Sequence, residues 1–399
     1  MTFSELWSGL EPIGRYAETG GYRRYSWTPA DAECRAWFTE QARARGLTVI
    51  PDKNGNLWAW WGERGPGAVV TGSHLDSVPD GGAFDGPLGI VSGFAAIDLL
   101  RERGAEPVKP LAVTAFVEEE GARFGVACLG TRLLTGAVDP DRARSLTDDA
   151  GVSYADAMAG AGLDPAGIGT DDDLVGDIGA FVELHVEQGR ALEPLGEAVG
   201  IGESIWPHGR WRLDFTGMAD HAGTAQFADR KDPMLPYAST VLVARRVASE
   251  RGALATFGKV IAEPGGANGV PSAVHAWLDV RAAEEEILRE TVTTVCSEAE
   301  KASAEQGVSF SVRQESATPV VRFDRGLRER IGAVLGNVPV LPTGAGHDAG
   351  VLAARVPVAM LFVRNPMGVS HSPAEHADLA DCEAGVLALA AVLEELACR

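Results

Sequence analysis

The sequence has few cysteines, and they lack the spacing that disulfide frameworks and thiolate metal sites show. Five cysteines occur among 399 residues, an odd number, and no two of them form a CxxC pair. The five residues are Cys34, Cys128, Cys296, Cys382 and Cys398. A chain of this length suits two domains, and it can bury a core that needs no disulfide. The pattern argues against both a disulfide-stabilised fold and a cysteine-ligated zinc site.

Long hydrophobic runs and an excess of basic residues are also missing. No segment approaches the roughly 18 consecutive apolar residues of a membrane-spanning helix, and the N-terminus lacks the basic and apolar regions of a secretory signal. The chain has 35 Lys and Arg against 56 Asp and Glu, a formal net charge of −21. Because phosphates would be repelled, nucleic acid and anionic membranes are disfavoured as partners. We expect a soluble, cytoplasmic protein, for which a small anionic substrate held by local arginines remains possible.

Helical and strand-like segments alternate in the first half of the chain and again after Pro319. A helix begins at Thr28-Pro29 and ends before Gly46. The runs GAVVTGSHLD, PLAVTAFVEEEG and GAFVELHVEQG read as strands, and PLGIVSGFAAIDLLRERG as a buried helix. This alternation predicts an α/β fold, with helices on both faces of a mostly parallel sheet. Ligands bind such sheets outside the carboxyl ends of the strands, where His74, Glu119, Glu120 and His185 fall.

The order of predicted strands and helices changes between residues 210 and 316. Strand and helix patterns there follow the order βαββαβ, which is the ferredoxin-like arrangement and can be inserted into a host domain. We therefore predict a discontinuous catalytic domain, residues 1–209 and 317–399, interrupted by a smaller α+β lid, residues 210–316.

Five side chains have the chemistry of metal ligands: His74, Asp85, Glu120, His185 and His371. Each alone is weak evidence, since GGAFDG is usually a turn and the triple Glu118-Glu119-Glu120 a solvated loop. Their joint occurrence at one edge of the predicted sheet favours a metal site. Two ions about 3.5–4 Å apart need about three ligands each, with one carboxylate shared. Five side chains with one bridging aspartate supply that number, and imidazole and carboxylate accept Zn²⁺, Mn²⁺, Co²⁺ or Ni²⁺.

Six motifs, taken together and in order, resemble a known enzyme family. They are SHLDSVPDGGAFDGPLG, VEEEGARFG, ELHVEQG, FTGMADHAGT, GAGHDAG and VSHSPAEH. The sequence is similar over nearly its whole length to the bacterial N-carbamoyl-L-amino-acid hydrolases, with allantoate amidohydrolase and β-ureidopropionase as siblings among the aminoacylase-type dinuclear metallohydrolases. The match departs after HAGT, where relatives commonly read T-P-M and this chain has Ala225-Gln226-Phe227. That difference leaves the leaving group and the side-chain preference open.

The resemblance implies roles for the metal-site residues. His74 and His185 would hold one divalent ion, Glu120 and His371 the other, and Asp85 would bridge both, with zinc first and manganese, cobalt or nickel as alternatives. Asp76 would orient the His74 imidazole. Glu119 would be the general base. Adjacent carboxylates in an extended chain point in opposite directions, so one of the two glutamates should face the metals and the other the attacking water.

The resemblance also implies how substrate is held. Arg281 and Asn268 would bind its α-carboxylate, the guanidinium bidentately. His221 would stabilise the oxyanion and reach the active site of the partner subunit, so a homodimer formed through the lid is expected. Gln188 matches a substrate-contacting glutamine. His347, with Asp348, would either line the pocket or fix a glycine-rich loop.

The predicted function is metal-dependent hydrolysis of the ureido or amide C–N bond of a small N-carbamoyl amino acid or allantoate-type substrate, releasing ammonia, CO₂ and the amino acid. An N-formyl- or N-acyl-L-amino acid deacylase is the alternative, and the product formed separates the two. A non-catalytic metal-binding sensor is a third hypothesis. Glu119 speaks against it, because a pure binder needs no base beside its metals.

Overall fold

The computed structural model describes residues 1–399, which form two compact units. The first unit is made of Met1–Ser204 and Arg322–Arg399, and the second of Ile205–Val321. None of the helices is both long enough and apolar enough to cross a membrane. The role of the second unit as a lid and dimerisation surface stays a prediction.

Fifteen strands and thirteen α-helices make up the fold. The strands are β1 Thr48–Pro51, β2 Leu57–Trp61, β3 Ala68–His74, β4 Leu111–Phe116, β5 Ile178–Val186, β6 Val199–Ile205, β7 His208–Thr216, β8 Asp220–His221, β9 Leu254–Glu263, β10 Gly269–Val270, β11 Ala273–Arg281, β12 Ser309–Thr318, β13 Val321–Arg322, β14 Val340–Thr343 and β15 Val358–Val363. The helices are α1 Phe3–Leu10, α2 Pro29–Ala44, α3 Pro87–Glu102, α4 Leu129–Thr135, α5 Pro140–Ser145, α6 Tyr154–Gly160, α7 Asp172–Asp177, α8 Leu192–Leu195, α9 Met234–Arg251, α10 Glu285–Glu305, α11 Arg325–Leu335, α12 Asp348–Leu352 and α13 Leu379–Ala397.

A nine-stranded sheet forms the centre of the first unit, in the order β1-β2-β4-β3-β5-β15-β6-β13, with β14 paired to β6. The four middle strands β4, β3, β5 and β15 are parallel, whereas β2 and β6 join them antiparallel. The expected mostly parallel sheet is therefore found at the centre, and antiparallel strands extend it on both sides. His74 pairs with Phe116, and Val363 pairs with Val186, so the parallel strands end at one common edge.

Helix α3 is buried because it is apolar on nearly all sides, as a helix enclosed between layers must be. Its buried residues include Leu88, Ile90, Val91, Phe94, Ile97 and Leu100. They join one core cluster with residues of α1, α2, α11 and α13 and with one face of the sheet, including Leu184 of β5. Since neighbouring strand residues point to opposite faces, Glu183 and His185 lie on the other face, where Glu183 accepts a hydrogen bond from Ala349 of α12.

The second unit is a four-stranded antiparallel sheet in the order β12-β7-β11-β9. Along the chain its main elements follow one another as β7, α9, β9, β11, α10 and β12. Inward-facing residues alternate along β7 and β11 and pack against α9 and α10 in one cluster. The short strands β8 and β10 form a separate two-stranded ribbon.

Candidate metal centre

The ends of three neighbouring strands bring the first candidate ligands together. His74 is the last residue of β3, His185 lies one residue before the end of β5, and the acidic residues follow the end of β4. Both histidines are 1% exposed or less, and their rings lie 5.9 Å apart, centre to centre. The alternation of strands and helices is thus what delivers these side chains to one edge of the sheet.

The two oxygens of Asp85 face two different groups of candidate ligands. Oδ1 lies 3.2 Å from Nε2 of His185 and 3.6 Å from Nε2 of His74. Oδ2 lies 3.4 Å from Nε2 of His371, which is in turn 3.5 Å from Oε2 of Glu120. Ligand atoms about 2.0–2.2 Å from a tetrahedral zinc are roughly 3.3 Å from one another. The five residues therefore fit two cations that share Asp85.

Each buried imidazole turns its Nε2 towards Asp85 and its Nδ1 away. Nδ1 of His74 lies 3.1 Å from the carbonyl oxygen of Asp76, and Nδ1 of His185 lies 2.9 Å from that of Val186. A carbonyl can only accept, so we assign the ring proton to Nδ1 in both residues. Nε2 is then the nitrogen that would face a cation. In His185 this nitrogen also accepts the backbone N–H of Gly86 at 3.2 Å.

The acidic turn after β4 is not an extended chain, and this part of the sequence prediction is wrong. β4 ends at Phe116, and Glu118 has a left-handed φ of +54°. The turn separates the next two carboxylates: Glu119 lies 3.8 Å from Nε2 of His74, whereas Glu120 faces His371. The direction of the side chains is thus set by a local turn and not by strand alternation.

Asp76 holds this turn in place. Its two carboxylate oxygens accept the backbone N–H groups of Glu119 at 3.2 Å and Glu120 at 3.0 Å. Its Oδ1 also lies 3.5 Å from Nδ1 of His74. The expected contact with the imidazole is present at this longer distance, and the shorter contacts anchor the acidic turn.

The electrostatics of the cluster are those of a site short of positive charge. Burial raises the pKa of Glu120 well above its usual value, and the negative charges of Asp85 and Glu119 raise it further. Burial also disfavours the charged form of Asp85, yet the adjacent imidazoles of His185 and His74 hold its pKa well below the usual range. Buried carboxylates at such spacing repel one another, and bound cations would relieve that repulsion.

Glu119 has the environment of a general base. Its side chain is buried, and its Oε1 accepts the thiol hydrogen of Cys128 at 3.2 Å. Burial raises the pKa of Glu119 to about 7, although the nearby His74 lowers it. A carboxylate that exchanges protons near neutral pH is suited to general acid–base work.

Gln188 and His371 form the more open side of the site, and both have left-handed backbones, with φ of +53° and +55°. The amide nitrogen of Gln188 donates to Oδ2 of Asp85 at 2.8 Å, and its Oε1 is buried without a partner. The His371 side chain is 53% exposed. Strained backbone of this kind is concentrated at functional sites.

His347 is buried beside the site, with its ring 4.5 Å from that of His185 in an edge-to-face arrangement. The next residue, Asp348, accepts the hydroxyl of Thr131 at 2.6 Å and so links α12 to α4. The glycine-rich loop is therefore both beside the candidate ligands and fixed to a neighbouring helix.

Sequence reasoning missed four residues that contact the candidate ligands or their loops. They are Cys128, Glu183, Ser370 and Glu375. Glu183 could have been found from the sequence, because it lies two residues before His185 on a strand and so points to the same face of the sheet. The other three are brought in by loops, for which the sequence has no period to read.

His221, Asn268 and Arg281 lie in the second unit, and they do not form one group there. β8 and β10 pair His221 with Gly269, next to Asn268. Arg281 is the last residue of β11, and its Nε donates to Asp279 at 2.9 Å. Asp279 is therefore one partner of the Arg281 guanidinium.

Similarity to known proteins identifies the class. Residues 70–395 match the peptidase family M20/M25/M40, and the chain belongs to that family. It is 36% identical over 405 residues to an N-carbamoyl-L-amino acid amidohydrolase of Geobacillus stearothermophilus, covering 98% of each chain. It is 33% identical to an allantoate amidohydrolase of Escherichia coli strain K12, covering 95% of this chain and 93% of the relative.

A solved structure gives the same result for the fold. The crystal structure of an amidase of the hydantoinase/carbamoylase family from Burkholderia vietnamiensis matches with a TM-score of 0.90 and 28% identity, covering 100% of this chain and 98% of that one. These similarities confirm the predicted resemblance. They also confirm the prediction of a hydrolase that acts on carbon–nitrogen bonds other than peptide bonds.

Proposed function

We propose that the chain uses two divalent cations to hydrolyse the ureido or amide C–N bond of a small N-carbamoyl amino acid or allantoate-type substrate. The products are ammonia, CO₂ and the amino acid. The observation that carries this proposal is the position of Asp85, whose Oδ1 faces His74 and His185 while its Oδ2 faces His371. Glu119 stands beside this group as a buried carboxylate.

These distances support two cation sites. His74 and His185 would hold one ion, Glu120 and His371 would hold the other, and Asp85 would be shared. Zinc is the first candidate, and manganese, cobalt and nickel accept the same ligands. Two bound cations would supply a lowered pKa for the attacking water and a polarised substrate carbonyl.

Glu119 moves the proton in this proposal. Its Oε1 receives a hydrogen bond from Cys128, so Oε2, on the His74 side, is the oxygen that takes the proton from the attacking water. The same carboxyl group then protonates the leaving nitrogen. Both transfers are general acid–base steps that a positioned carboxyl group performs.

Four polar side chains bind the substrate in this proposal. The buried Oε1 of Gln188 accepts an N–H of the ureido group. Nδ1 of His221 accepts the backbone N–H of Gly223 at 3.1 Å, so a neutral His221 carries its proton on Nε2 and donates it to the oxyanion. Arg281 and Asn268 bind the substrate carboxylate.

The positions of His221 and Arg281 in the second unit favour two copies of the chain at each site. The His221 ribbon follows Thr216, which pairs with Ala273 at the start of β11, whereas Arg281 ends that strand. From Ala273 to Arg281 the strand rises about 26 Å at roughly 3.3 Å per residue, which exceeds the length of an amino-acid-sized substrate. We therefore propose a homodimer in which one copy supplies Arg281 and the other supplies His221 and Asn268 to each substrate.

The edge of the second unit's sheet is the proposed dimer surface. β9 is an edge strand of ten residues, and its Val260 and Ile261 are 49% and 40% exposed. A long edge with exposed β-branched residues is a template for pairing with another strand.

Mixing of inactive variants tests the shared site. Arg281→Ala and His221→Ala, each inactive alone, should regain about a quarter of wild-type activity after the subunits are exchanged, because half of the dimers are mixed and each of these has one complete site. His221→Ala mixed with Asn268→Ala is the control and should regain none. Recovery in the control, or none in the first mixture, contradicts the proposal.

A substrate panel tests the reaction itself. Protein loaded with Zn²⁺ or Mn²⁺ is incubated with N-carbamoyl-, N-formyl- and N-acetyl-L-amino acids and with allantoate, and ammonia, formate and acetate are measured. Ammonia from a carbamoyl substrate or allantoate is expected. Formate or acetate alone would identify a deacylase, and no turnover of any substrate would support a metal-binding protein without catalysis.

A further inference from the structure

Glu375 joins two loops that are far apart in the sequence and that both carry candidate ligands. Its Oε1 accepts the backbone N–H groups of Phe84 and Asp85, both at 2.9 Å. Its Oε2 accepts the hydroxyl of Ser370 at 2.8 Å. Glu375 therefore contacts Asp85, which bears the shared carboxylate, and Ser370, which directly precedes His371.

The surroundings of Glu375 are closed. The residue is 5% exposed, and a Cβ added to Gly82 would lie 2.3 Å from its Oε1. A buried carboxylate is costly unless its oxygens are hydrogen-bonded, and here three donors satisfy them. A glutamate that only closed its own loop would have no need to reach backbone about 290 residues earlier in the chain.

The contacts continue from Glu375 to the oxygen of Asp85 that faces His371. The hydroxyl oxygen of Ser370 lies 3.1 Å from Oδ2 of Asp85. The amide nitrogen of Gln188 contacts both, at 2.8 Å from that Oδ2 and 3.3 Å from the hydroxyl. His371 itself is half exposed and has a left-handed φ of +55°, so its position depends on how its loop is held.

We propose that Glu375 is a positioning residue that sets the distance between Asp85 and His371, and through it the affinity of the cation site formed by Asp85, Glu120 and His371. The inference rests on the proposed two-cation function. Residues that hold metal ligands in place typically change metal affinity by about 10- to 100-fold when they are lost. The same loss is expected here for the cation held by Asp85, Glu120 and His371.

Zn²⁺ titration of chelator-stripped protein by calorimetry tests the role of Glu375. The wild type should bind two equivalents, and Glu375→Ala should bind one of them about 10- to 100-fold less tightly. Glu375→Gln should restore the affinity, because its amide oxygen still accepts both backbone N–H groups and the Ser370 hydroxyl is freed to donate to Asp85. Rescue by glutamine separates positioning from a need for the negative charge.

A matched control is Asp381→Ala. Asp381 is also 5% exposed, and it pairs with Arg364 at 2.8 Å, away from the candidate ligands. It should lower the melting temperature and leave Zn²⁺ binding unchanged. If Glu375→Ala does not fold, Ser370→Ala removes the link on the His371 side and should weaken the same equivalent.

The outcomes are distinct. The inference is overturned if Glu375→Ala binds both equivalents with wild-type affinity, or if Ser370→Ala does so where Glu375→Ala does not fold. It is also overturned if Glu375→Gln binds Zn²⁺ as weakly as Glu375→Ala. Fewer than two equivalents bound by the wild type would instead refute the two-cation proposal, whatever the variants do.

Discussion

Substitution of Gly86 by alanine should abolish cation binding, because the added methyl group has no space beside His74. Gly86 has φ of +85° and ψ of −59° and precedes α3. A Cβ built on it would lie 2.5 Å from Nδ1 and Cε1 of His74 and 2.6 Å from Nε2. The imidazole cannot retreat easily, since it is 1% exposed and lies between Asp85 and Glu119.

The magnitude has two parts. An L-residue in this backbone conformation is strained by about 1–3 kcal/mol, and the forced overlap adds about 1–3 kcal/mol. The free energy of unfolding should therefore fall by roughly 2–6 kcal/mol. Metal ligands tolerate displacements of only about 0.2 Å, and His74 must move further than that, so the cation loss should be nearly complete.

Gly62→Ala is the matched control. Gly62 has a similar φ of +89°, and an added Cβ would meet nothing within 4 Å. Bound zinc and the melting temperature should be measured in both variants, with and without added Zn²⁺. Gly62→Ala should lower the melting temperature and keep wild-type zinc content, whereas Gly86→Ala should lose zinc and any stabilisation by zinc. Equal zinc content in Gly86→Ala and the wild type would refute the reasoning that His74 is a ligand.

Two further predictions concern buried carboxylates. Glu119→Gln should lower kcat by about 10²- to 10⁴-fold and leave the zinc content unchanged, whereas Glu120→Gln should also lose zinc. Equal zinc loss in both variants would contradict the assignment of Glu119 as the base and Glu120 as a ligand. Burial raises the pKa of Asp31 from 3.8 to about 6. The unfolded chain therefore releases this proton first as the pH rises, and the free energy of unfolding falls between about pH 4 and pH 6 and then stays lower. Asp31→Asn should raise the free energy of unfolding by up to about 3 kcal/mol at pH 7.5 and change it little at pH 4. Urea denaturation of the chelated protein measures this free energy, and an equal effect at both pH values would contradict the prediction.

The elements that deliver the site were predictable from sequence where the pattern is long and regular. α2 begins at Pro29, after Thr28, and ends before Gly46, as its start and stop signals indicate. The strands that end near His74, Glu119 and His185 are continuous apolar runs, which is typical of parallel strands covered on both faces. Their ends had to meet at one edge, so the neighbourhood of these three residues followed from the pattern.

The short helices between residues 129 and 177 were not predicted. α4, α5, α6 and α7 have six or seven residues each, too few for a hydrophobic period to show. Their residues pack together in a small separate cluster that includes Leu129, Leu133 and Tyr154. Their stability depends on that packing, which a sequence window of one helix does not contain.

The contacts between loops were unpredictable for a related reason. Glu375 is one of several polar residues in VSHSPAEH, and nothing in that run indicates that its carboxylate reaches Phe84 and Asp85. The turn at Glu118 is similar, because glutamate rarely adopts a positive φ and three successive glutamates suggest no turn. In both cases the conformation is set by a partner distant in sequence.

Those distant partners explain how strained loops can hold ligands steadily. Of the six non-glycine residues with positive φ, Glu118, Cys128, Gln188 and His371 each contact or adjoin a candidate ligand or Glu119. Such conformations persist only where the surrounding structure holds them in place. Here buried carboxylates do so: Asp76 accepts the backbone N–H groups of the two residues after Glu118. Glu375 connects the loops that carry Asp85 and His371. Because these anchors are made by the chain's own hydrogen bonds, folding alone places the candidate ligands, and a cation would meet a site that is already formed.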